Sequence, residues 1–94
     1  MRMIVFFDLP TKTKKNKKDY IRFRRFLLND GFDMMQFSVY TRIIVGKYGE
    51  QQHYDRLKNH LPPEGSVRCI TVTEKQYSNI LFLVGKKTKQ EEKV

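Results

Sequence analysis

The chain has 94 residues and is strongly basic, with 19 lysines and arginines, 10 acidic residues and a net charge of +9. This length allows one domain. Cys69 is the single cysteine, so a disulfide within the chain is excluded. No apolar run approaches the ~20 residues of a membrane span. A core this small is marginal, so self-association is the remaining common means of stabilising it.

The positive charge lies mainly between Thr11 and Arg25. This segment carries eight of the 19 basic residues and a single acid. A concentrated patch of this kind most often contacts polyphosphate, which predicts nucleic acid as the partner. A solvated, solubilising surface is the alternative, and an anionic membrane is a weaker one. The residues predicted to bind nucleic acid are Lys12, Lys14, Lys15, Lys17, Lys18, Arg22 and Arg25.

The first predicted strand covers residues 2–7 and is apolar on both faces, which is typical of a strand in the middle of a sheet or against a partner. Asp8, Leu9 and Pro10 end it, because proline cannot donate to a ladder and aspartate favours turns. The apolar run is too short for the hydrophobic region of a secretion signal. Together with the lone thiol, this indicates a reducing, cytoplasmic compartment.

A lysine-rich loop, residues 11–15, precedes a predicted amphipathic helix over residues 16–30. Gly31 lies where a C-cap glycine is expected. The predicted apolar side consists of Tyr20, Phe23, Phe26 and Leu27, widened by Ile21 and Leu28, and the opposite side, the cationic ridge, consists of Lys18, Arg22, Arg25 and Asn29.

Residues 32–45 form the most β-prone stretch and are long for one strand. We interpret them as two strands joined by a tight turn or bulge at residues 36–38, with one long bent strand as the alternative. Residues 46–49 are predicted to form a turn and residues 50–60 a second helix. The predicted core stripe of this helix is Tyr54, Leu57 and Leu61.

The remaining segments are predicted from their hydrophobic patterns. Residues 67–73 alternate and predict a strand, residues 74–78 form a connection, and residues 80–84 predict a strand that is apolar on both faces. Residues 85–94 form a charged tail that we expect to be flexible. We therefore predict a single domain over residues 1–84.

The resulting order, β-α-β-β-α-β and then one more strand, predicts an α+β fold, namely a ferredoxin-like sandwich with two helices on one face of the sheet. The last strand is surplus to that fold. Paired with a second copy, it would cap an exposed sheet edge and cover the face that carries no helix. We therefore expect a homodimer.

Most common catalytic patterns are missing from the sequence. There is no glycine-rich phosphate loop, and His53 and His60 lack further ligands for zinc, so we expect satisfied or solvated histidines. Ser38 has no pattern of His and Asp for a triad. Cys69 alternates with core residues and is expected to act as a small buried hydrophobe.

Asp8 differs from these residues because it follows a buried central strand, where the backbone is well fixed. The residues alone leave two roles open: Asp8 starts the Asp-Leu-Pro turn by bonding backbone amides, or it is a hard oxygen ligand for Mg²⁺. One carboxylate is a poor metal site, but a nearby dimer axis would supply two. The ion could then polarise a phosphoryl oxygen or generate hydroxide for phosphodiester cleavage.

A second candidate set lies in residues 37–42. Ser38 can donate to a phosphate or to a water near the metal, and Arg42 can hold a phosphate with its guanidinium fork. The alternative is a plain strand with one outward serine and one outward arginine. The predicted catalytic residues are Asp8, Ser38 and Arg42, with Asp8 as the metal ligand.

Several segments together resemble one known family. Residues 4–10 (IVFFDLP), 22–28 (RFRRFLL) and 31–40 (GFDMMQFSVY) resemble CRISPR-associated protein 2, in which a strand ending in Asp precedes a basic helix and then Gly-Phe, Gln and Ser-Val-Tyr or Ser-Val-Phe. Residues 67–76 resemble its later strand. The order and spacing of the segments carry the resemblance, which covers the chain up to its tail.

The resemblance implies a ferredoxin-like homodimer with the last strand exchanged between protomers, and an Asp8 from each protomer near a divalent metal. It implies a cytoplasmic, prokaryotic subunit of CRISPR adaptation that holds double-stranded prespacer DNA and bridges dimers of the integrase, CRISPR-associated protein 1. Some members are metal-dependent ribonucleases or deoxyribonucleases. A stand-alone metal-dependent endoribonuclease acting on single-stranded RNA is therefore the alternative function. The loop after Pro10 is unusually rich in lysine. The resemblance therefore does not identify which residues of this chain contact the integrase.

An RNA-recognition motif shares the βαββαβ order and is a third interpretation. It requires an aromatic signature on its third strand to stack bases, and residues 43–48 lack that signature. The surplus strand also fits it less well.

Overall fold

The structure is a computed structural model and describes residues 1–85. The predicted tail, residues 85–94, lies outside the described residues except for its first position. In chain order the elements are β1 (Arg2–Asp8), α1 (Lys14–Asn29), β2 (Asp33–Gln36), β3 (Val39–Ile43), α2 (Gly46–Lys58), β4 (Ser66–Val72) and α3 (Glu74–Ser78).

The strands form one antiparallel sheet in the order β2-β3-β1-β4, with β1 between β3 and β4. Helices α1 and α2 both contribute to a single core on one face of this sheet. The predicted α+β, ferredoxin-like sandwich is therefore confirmed. The face opposite α1 and α2 is called the open face below. None of the helices within residues 1–85 is long and apolar enough to cross a membrane.

The core is built on alternate side chains of β1. Met3, Val5 and Phe7 point toward the helices and are buried, and each such side chain contributes roughly 1.5–3 kcal/mol when removed from water. The other buried hydrophobic residues of this core are Phe23, Leu27, Phe32, Tyr40, Ile44 and Leu57.

Helix α1 begins two residues before its predicted start because Thr13 caps it. The Thr13 hydroxyl accepts from the Asn16 backbone N–H at 3.0 Å, and the Thr13 N–H donates to the Asn16 side chain at 3.3 Å. This reciprocal pair satisfies two donors at the helix end. The helix ends before Gly31, whose φ of +90° fits the predicted C-cap glycine.

The apolar side of α1 is narrower than predicted. Phe23 and Leu27 are buried, whereas Ile21 and Leu28 are 52% and 40% exposed. At 3.6 residues per turn these two lie roughly 120–140° around the axis from the line joining Phe23 and Leu27. The prediction that they widen the core stripe was therefore wrong.

Residues 33–43 form two strands, which confirms the two-strand interpretation and excludes one long bent strand. The turn between β2 and β3 lies at Phe37 and Ser38, within the predicted segment. Ser38 takes a φ of 64°, in the left-handed region that residues other than glycine seldom adopt. The turn thus fixes an unusual backbone conformation next to the end of β1.

Helix α2 begins at Gly46, so the predicted turn over residues 46–49 was wrong. These residues form the first turn of the helix, with Val45 as the N-cap. Two glycines in four residues indicate a turn in sequence, but the tertiary packing that buries Ile44 just before them extends the helix instead.

The core stripe of α2 also differs from the prediction. Leu57 is buried as expected, but Tyr54 and Leu61 are 42% and 48% exposed. His53 takes the buried position, and its Nδ1 lies 2.9 Å from the Asp30 carboxylate. A buried polar ring is acceptable here because a hydrogen bond satisfies it.

The segment after β4 differs from the prediction in two ways. The connection over residues 74–78 is a short helix, α3, which Thr73 caps through a reciprocal pair with Gln76. Ile80–Val84, predicted as a strand, joins no ladder within residues 1–85. A strand needs a neighbour for its backbone groups, and residues 1–85 of one copy supply none for that segment.

Candidate functional site

The open face of the sheet has a covered end and an uncovered end. At the covered end, Arg2 packs under α3: its Nε donates to Glu74 at 3.0 Å and its guanidinium carbon lies 4.4 Å from the centre of the Tyr77 ring. At the uncovered end, β1 finishes at Asp8, and the neighbouring Phe6 is 38% exposed. The open face therefore presents Asp8 where neither α3 nor the two main helices cover it.

Asp8 is held in place through its backbone. It pairs with Ser66 at the start of β4, and the preceding Gly65, with a φ of +95°, packs so tightly that a Cβ there would lie 2.6 Å from the Asp8 carbonyl oxygen. The side chain itself is exposed, and within residues 1–85 it accepts no hydrogen bond and forms no salt bridge. The turn-forming role left open by the sequence is therefore not observed, and the carboxylate is available for a ligand.

Ser38 lies next to Asp8. The Phe7 backbone N–H donates to the Ser38 carbonyl oxygen at 3.0 Å, so the turn between β2 and β3 is fastened to the end of β1. The two predicted site residues line one shallow depression, called the Asp8 cleft, whose wall residues are Phe6, Phe7, Asp8, Phe37, Ser38, Val39, Ser66 and Arg68.

Arg42 is placed elsewhere. It pairs with Met3 on the helix-covered face, five positions along β1 from Asp8, or roughly 16 Å at the rise of a strand. Its Nε donates to the Ile43 carbonyl at 3.0 Å and its Nη1 donates to the Asp30 carbonyl at the end of α1. Within one chain, the structure therefore does not bring Arg42 to Asp8, because its guanidinium is used as a helix cap.

Arg68 and Ser66 are the polar residues of the cleft that the sequence analysis did not select. Arg68 lies opposite Phe6, and Ser66 lies opposite Asp8. The alternation of β4 already separated Arg68 from the core-facing Cys69, so one signal was present. What was missing was the register between β1 and β4, which two strands distant in sequence do not reveal.

The donor chemistry of the cleft fits a magnesium ion only as a half-site. Mg²⁺ prefers oxygen ligands and commonly binds through one or two carboxylates, with waters and phosphate completing its shell. The cleft offers the Asp8 carboxylate and the hydroxyls of Ser38 and Ser66. Residues 1–85 contain no group of three or more His, Cys, Asp or Glu that could hold a metal.

The predicted phosphate-binding residues form an exposed cationic surface on α1 and the loop before it. None of them forms a salt bridge or a side-chain hydrogen bond within residues 1–85, so their charge is available to a partner. Arg24, by contrast, donates from Nε to the Tyr40 hydroxyl at 2.9 Å. The residues of this surface are Lys12, Lys14, Lys15, Lys17, Lys18, Arg22 and Arg25, and all are exposed.

The histidines and the cysteine have structural surroundings, as the sequence indicated. His53 is bonded to Asp30, and His60 stacks on Phe26 with ring centres 4.1 Å apart. Cys69 is half-buried against the core, where desolvation, with a smaller contribution from the charge of Glu50, raises the pKa of its thiol. A raised pKa disfavours the reactive thiolate.

Comparison with known proteins agrees with this architecture. The model of the family described as CRISPR associated protein Cas2 matches residues 1–80. A curated relative from Acidovorax ebreus, named CRISPR-associated endoribonuclease Cas2, is 57% identical over 94 residues, covering 100% of this chain and 92% of the relative. A relative of the same name from Ligilactobacillus salivarius is 43% identical over 90 residues, covering 96% of this chain and 89% of the relative.

A solved structure shares the fold. The crystal structure of Streptococcus pyogenes Cas2 at pH 6.5 superposes with a TM-score of 0.66 at 20% identity, covering 89% of this chain and 100% of that one. The family match spans most of the chain, and the curated relatives match it nearly end to end. The chain therefore belongs to the Cas2 family of CRISPR-associated proteins.

Proposed function

We propose that this chain is a CRISPR adaptation subunit that binds nucleic acid as a homodimer and bridges dimers of the integrase, CRISPR-associated protein 1, with Mg²⁺-dependent phosphodiester hydrolysis as an accompanying activity. The observation that carries the binding proposal is the exposed cationic surface on α1 and its preceding loop, whose side chains have no ionic partner in the described part of the chain, residues 1–85. Charges that are free in the protein keep their full attraction for phosphate. Double-stranded DNA is the proposed ligand in adaptation.

Exposed apolar surface supports the homodimer. On the open face, Phe6 and Ile70 are 38% and 51% exposed, and in the unpaired Ile80–Val84 segment Leu81, Leu83 and Val84 are 79%, 88% and 95% exposed. Apolar surface gathered in this way marks an interaction site. Strand exchange of Ile80–Val84 between two copies would remove it from water and extend the sheet.

Two copies would also complete the cleft. Open faces packed together would bring an Asp8 from each copy toward the other, and two carboxylates are a common protein contribution to a Mg²⁺ site. The bound ion would supply Lewis-acid polarisation of a phosphoryl oxygen or a hydroxide at neutral pH. The Ser38 hydroxyl would donate to a phosphate oxygen, and the β2–β3 turn holds that residue beside the end of β1.

The binding proposal is tested by the salt dependence of affinity for duplex DNA. Each phosphate contact releases counterions and adds about 0.9 to the slope of log affinity against log salt. Replacing both Arg22 and Arg25 by Gln removes two such contacts, so the magnitude of the slope should fall by about 1.8. The control is Lys47→Gln, which removes one positive charge from the exposed start of α2, away from this surface, and should leave the slope nearly unchanged. An unchanged slope in the arginine variant would contradict the proposal.

The second candidate function is a stand-alone metal-dependent endoribonuclease acting on single-stranded RNA. The free Asp8 carboxylate in an open cleft favours it, as do the names of the curated relatives. Asp8→Asn should abolish Mg²⁺-dependent cleavage of single-stranded RNA while the protein remains folded and dimeric. Equal cleavage by the variant, or by the original protein in chelator, would remove this candidate.

A further inference from the structure

Arg68 is a cation on the wall of the Asp8 cleft. It lies on β4 opposite Phe6, two positions from the Ser66 that pairs with Asp8. Directly opposed residues of an antiparallel pair share a face of the sheet, so Arg68 and Asp8 are diagonal neighbours on the open face, with Cβ atoms roughly 7 Å apart. Arg68 is exposed and makes no hydrogen bond or salt bridge within residues 1–85.

An arginine this close to a carboxylate usually pairs with it, but here the two remain separate. No salt bridge joins Asp8 and Arg68, although the guanidinium has the reach to form one. The two charges instead lie on the wall of the same depression, together with the hydroxyl-bearing Ser38 and Ser66. An anion bound to Arg68 would therefore lie beside Asp8, the proposed metal ligand, and a cation held by Asp8 would offset the repulsion between the carboxylate and that anion.

A phosphodiester meets these requirements. A guanidinium presents two parallel N–H donors that match two phosphate oxygens, and such charge-assisted bonds are about twice as strong as neutral ones. The rim of the cleft adds an aromatic surface, since Phe37 is 78% exposed and stacks on Tyr20 with ring centres 6.4 Å apart. An unpaired base can stack on such a ring, which favours a single-stranded nucleotide over a free phosphate.

We infer that Arg68 is the phosphate-binding residue of the Asp8 cleft, and that it holds the non-bridging oxygens of the phosphodiester placed next to Asp8. The inference rests on the proposed nucleic-acid function and adds to it the residue that positions the phosphate. Arg42 is not available for this role within the chain, because its guanidinium caps α1.

A double-mutant cycle in binding tests the inference without requiring turnover. The ligand is a short, single-stranded 2′-O-methyl oligonucleotide in Mg²⁺, with its intactness checked after each titration. Arg68→Gln should weaken affinity about ten- to hundredfold, as expected for a charged hydrogen-bond partner of phosphate. Combined with Asp8→Asn, the loss should be smaller than the product of the two single losses, because both residues act on one phosphate.

Two further variants separate phosphate binding from general charge and from structure. Lys47→Gln removes the same charge from the opposite end of the sheet, and its small effect should multiply with that of Asp8→Asn. Arg68→Lys keeps the charge but loses the fork, so its affinity should fall between those of Arg68→Gln and the original protein. It also serves as the test variant if Arg68→Gln does not fold.

The outcomes of this experiment distinguish failure of the Arg68 inference from failure of the proposed nucleic-acid function. If the original protein binds with a clear salt dependence but Arg68→Gln behaves like Lys47→Gln, the inference is overturned and the proposed function stands. An effect of Arg68→Gln on dimer dissociation alone, with affinity per dimer unchanged, also overturns it by assigning Arg68 a structural role. If the original protein binds no oligonucleotide at low salt, both proposals fall together.

Discussion

The two faces of the sheet differ in what they do with polar and charged side chains. On the helix-covered face, Tyr40 is 1% exposed and its hydroxyl accepts from Arg24, and the Arg42 guanidinium is bonded to two carbonyls. On the uncovered end of the open face, Asp8 and Arg68 have no partner within residues 1–85. Polar groups that stabilise a fold are satisfied internally, so the unsatisfied set marks the surface available to ligands and partners.

The same difference between the two faces is seen within one residue type, in Arg42 and Arg68. Both lie on strands that flank β1, and each is directly opposed to a β1 residue. Arg42 opposes the buried Met3, whereas Arg68 opposes the half-exposed Phe6. The face to which the opposing β1 residue points therefore distinguishes the structural Arg42 from Arg68, which is available for binding.

The largest expected effect is on the stability of the core between the sheet and helices α1 and α2. Leu27→Ala should lower the free energy of unfolding by about 3–5 kcal/mol, because it removes a fully buried side chain and leaves a cavity. Leu28→Ala is the matched control on the same helix; that side chain is 40% exposed, and we expect less than about 1 kcal/mol. Urea denaturation at one fixed protein concentration compares them, and similar losses would contradict the assignment of the two sides of α1.

The sequence predicted the fold well where a pattern is local. The apolar run of β1, the alternation of β4, the spacing of Phe23 and Leu27, and the glycine after α1 are each patterns within or directly next to one element. Gly46 was missed because a glycine indicates a turn unless tertiary contacts extend the helix through it.

The candidate site was harder to predict because it depends on register between strands. Asp8 and Ser38 were selected from their own segments, and the structure brings them into one cleft. The face of Arg42 depends on how many residues the β2–β3 turn consumes, including Ser38 with its left-handed backbone. A shift of one residue moves every side chain of a strand to the other face, so Arg42 was expected to point outward and Arg68 was not connected to Asp8.

The second prediction concerns the open face as a dimer interface. Ile70→Asp should weaken dimerisation by about a hundredfold, since a carboxylate buried without a partner costs several kcal/mol, while far-ultraviolet circular dichroism stays unchanged. Ile21→Asp is the control, because Ile21 on α1 has nearly the same exposure, 52% against 51% for Ile70. Light scattering after size exclusion at micromolar concentration measures the mass. A dimeric Ile70→Asp protein, or dissociation in both variants, would remove the open face as the interface.

The smallest effect separates the two arginines by stability. Arg42→Gln should lower the free energy of unfolding by about 1–2 kcal/mol, because the carbonyl of Asp30 at the end of α1 loses a charged donor. Arg68→Gln should change it by less than about 0.5 kcal/mol, because an exposed side chain with no partner among residues 1–85 stabilises little. Urea titrations of both variants at equal concentration give the comparison. Equal losses would mean that Arg68 has a structural partner, for example in the second copy, and that its freedom in the single chain does not persist in the dimer.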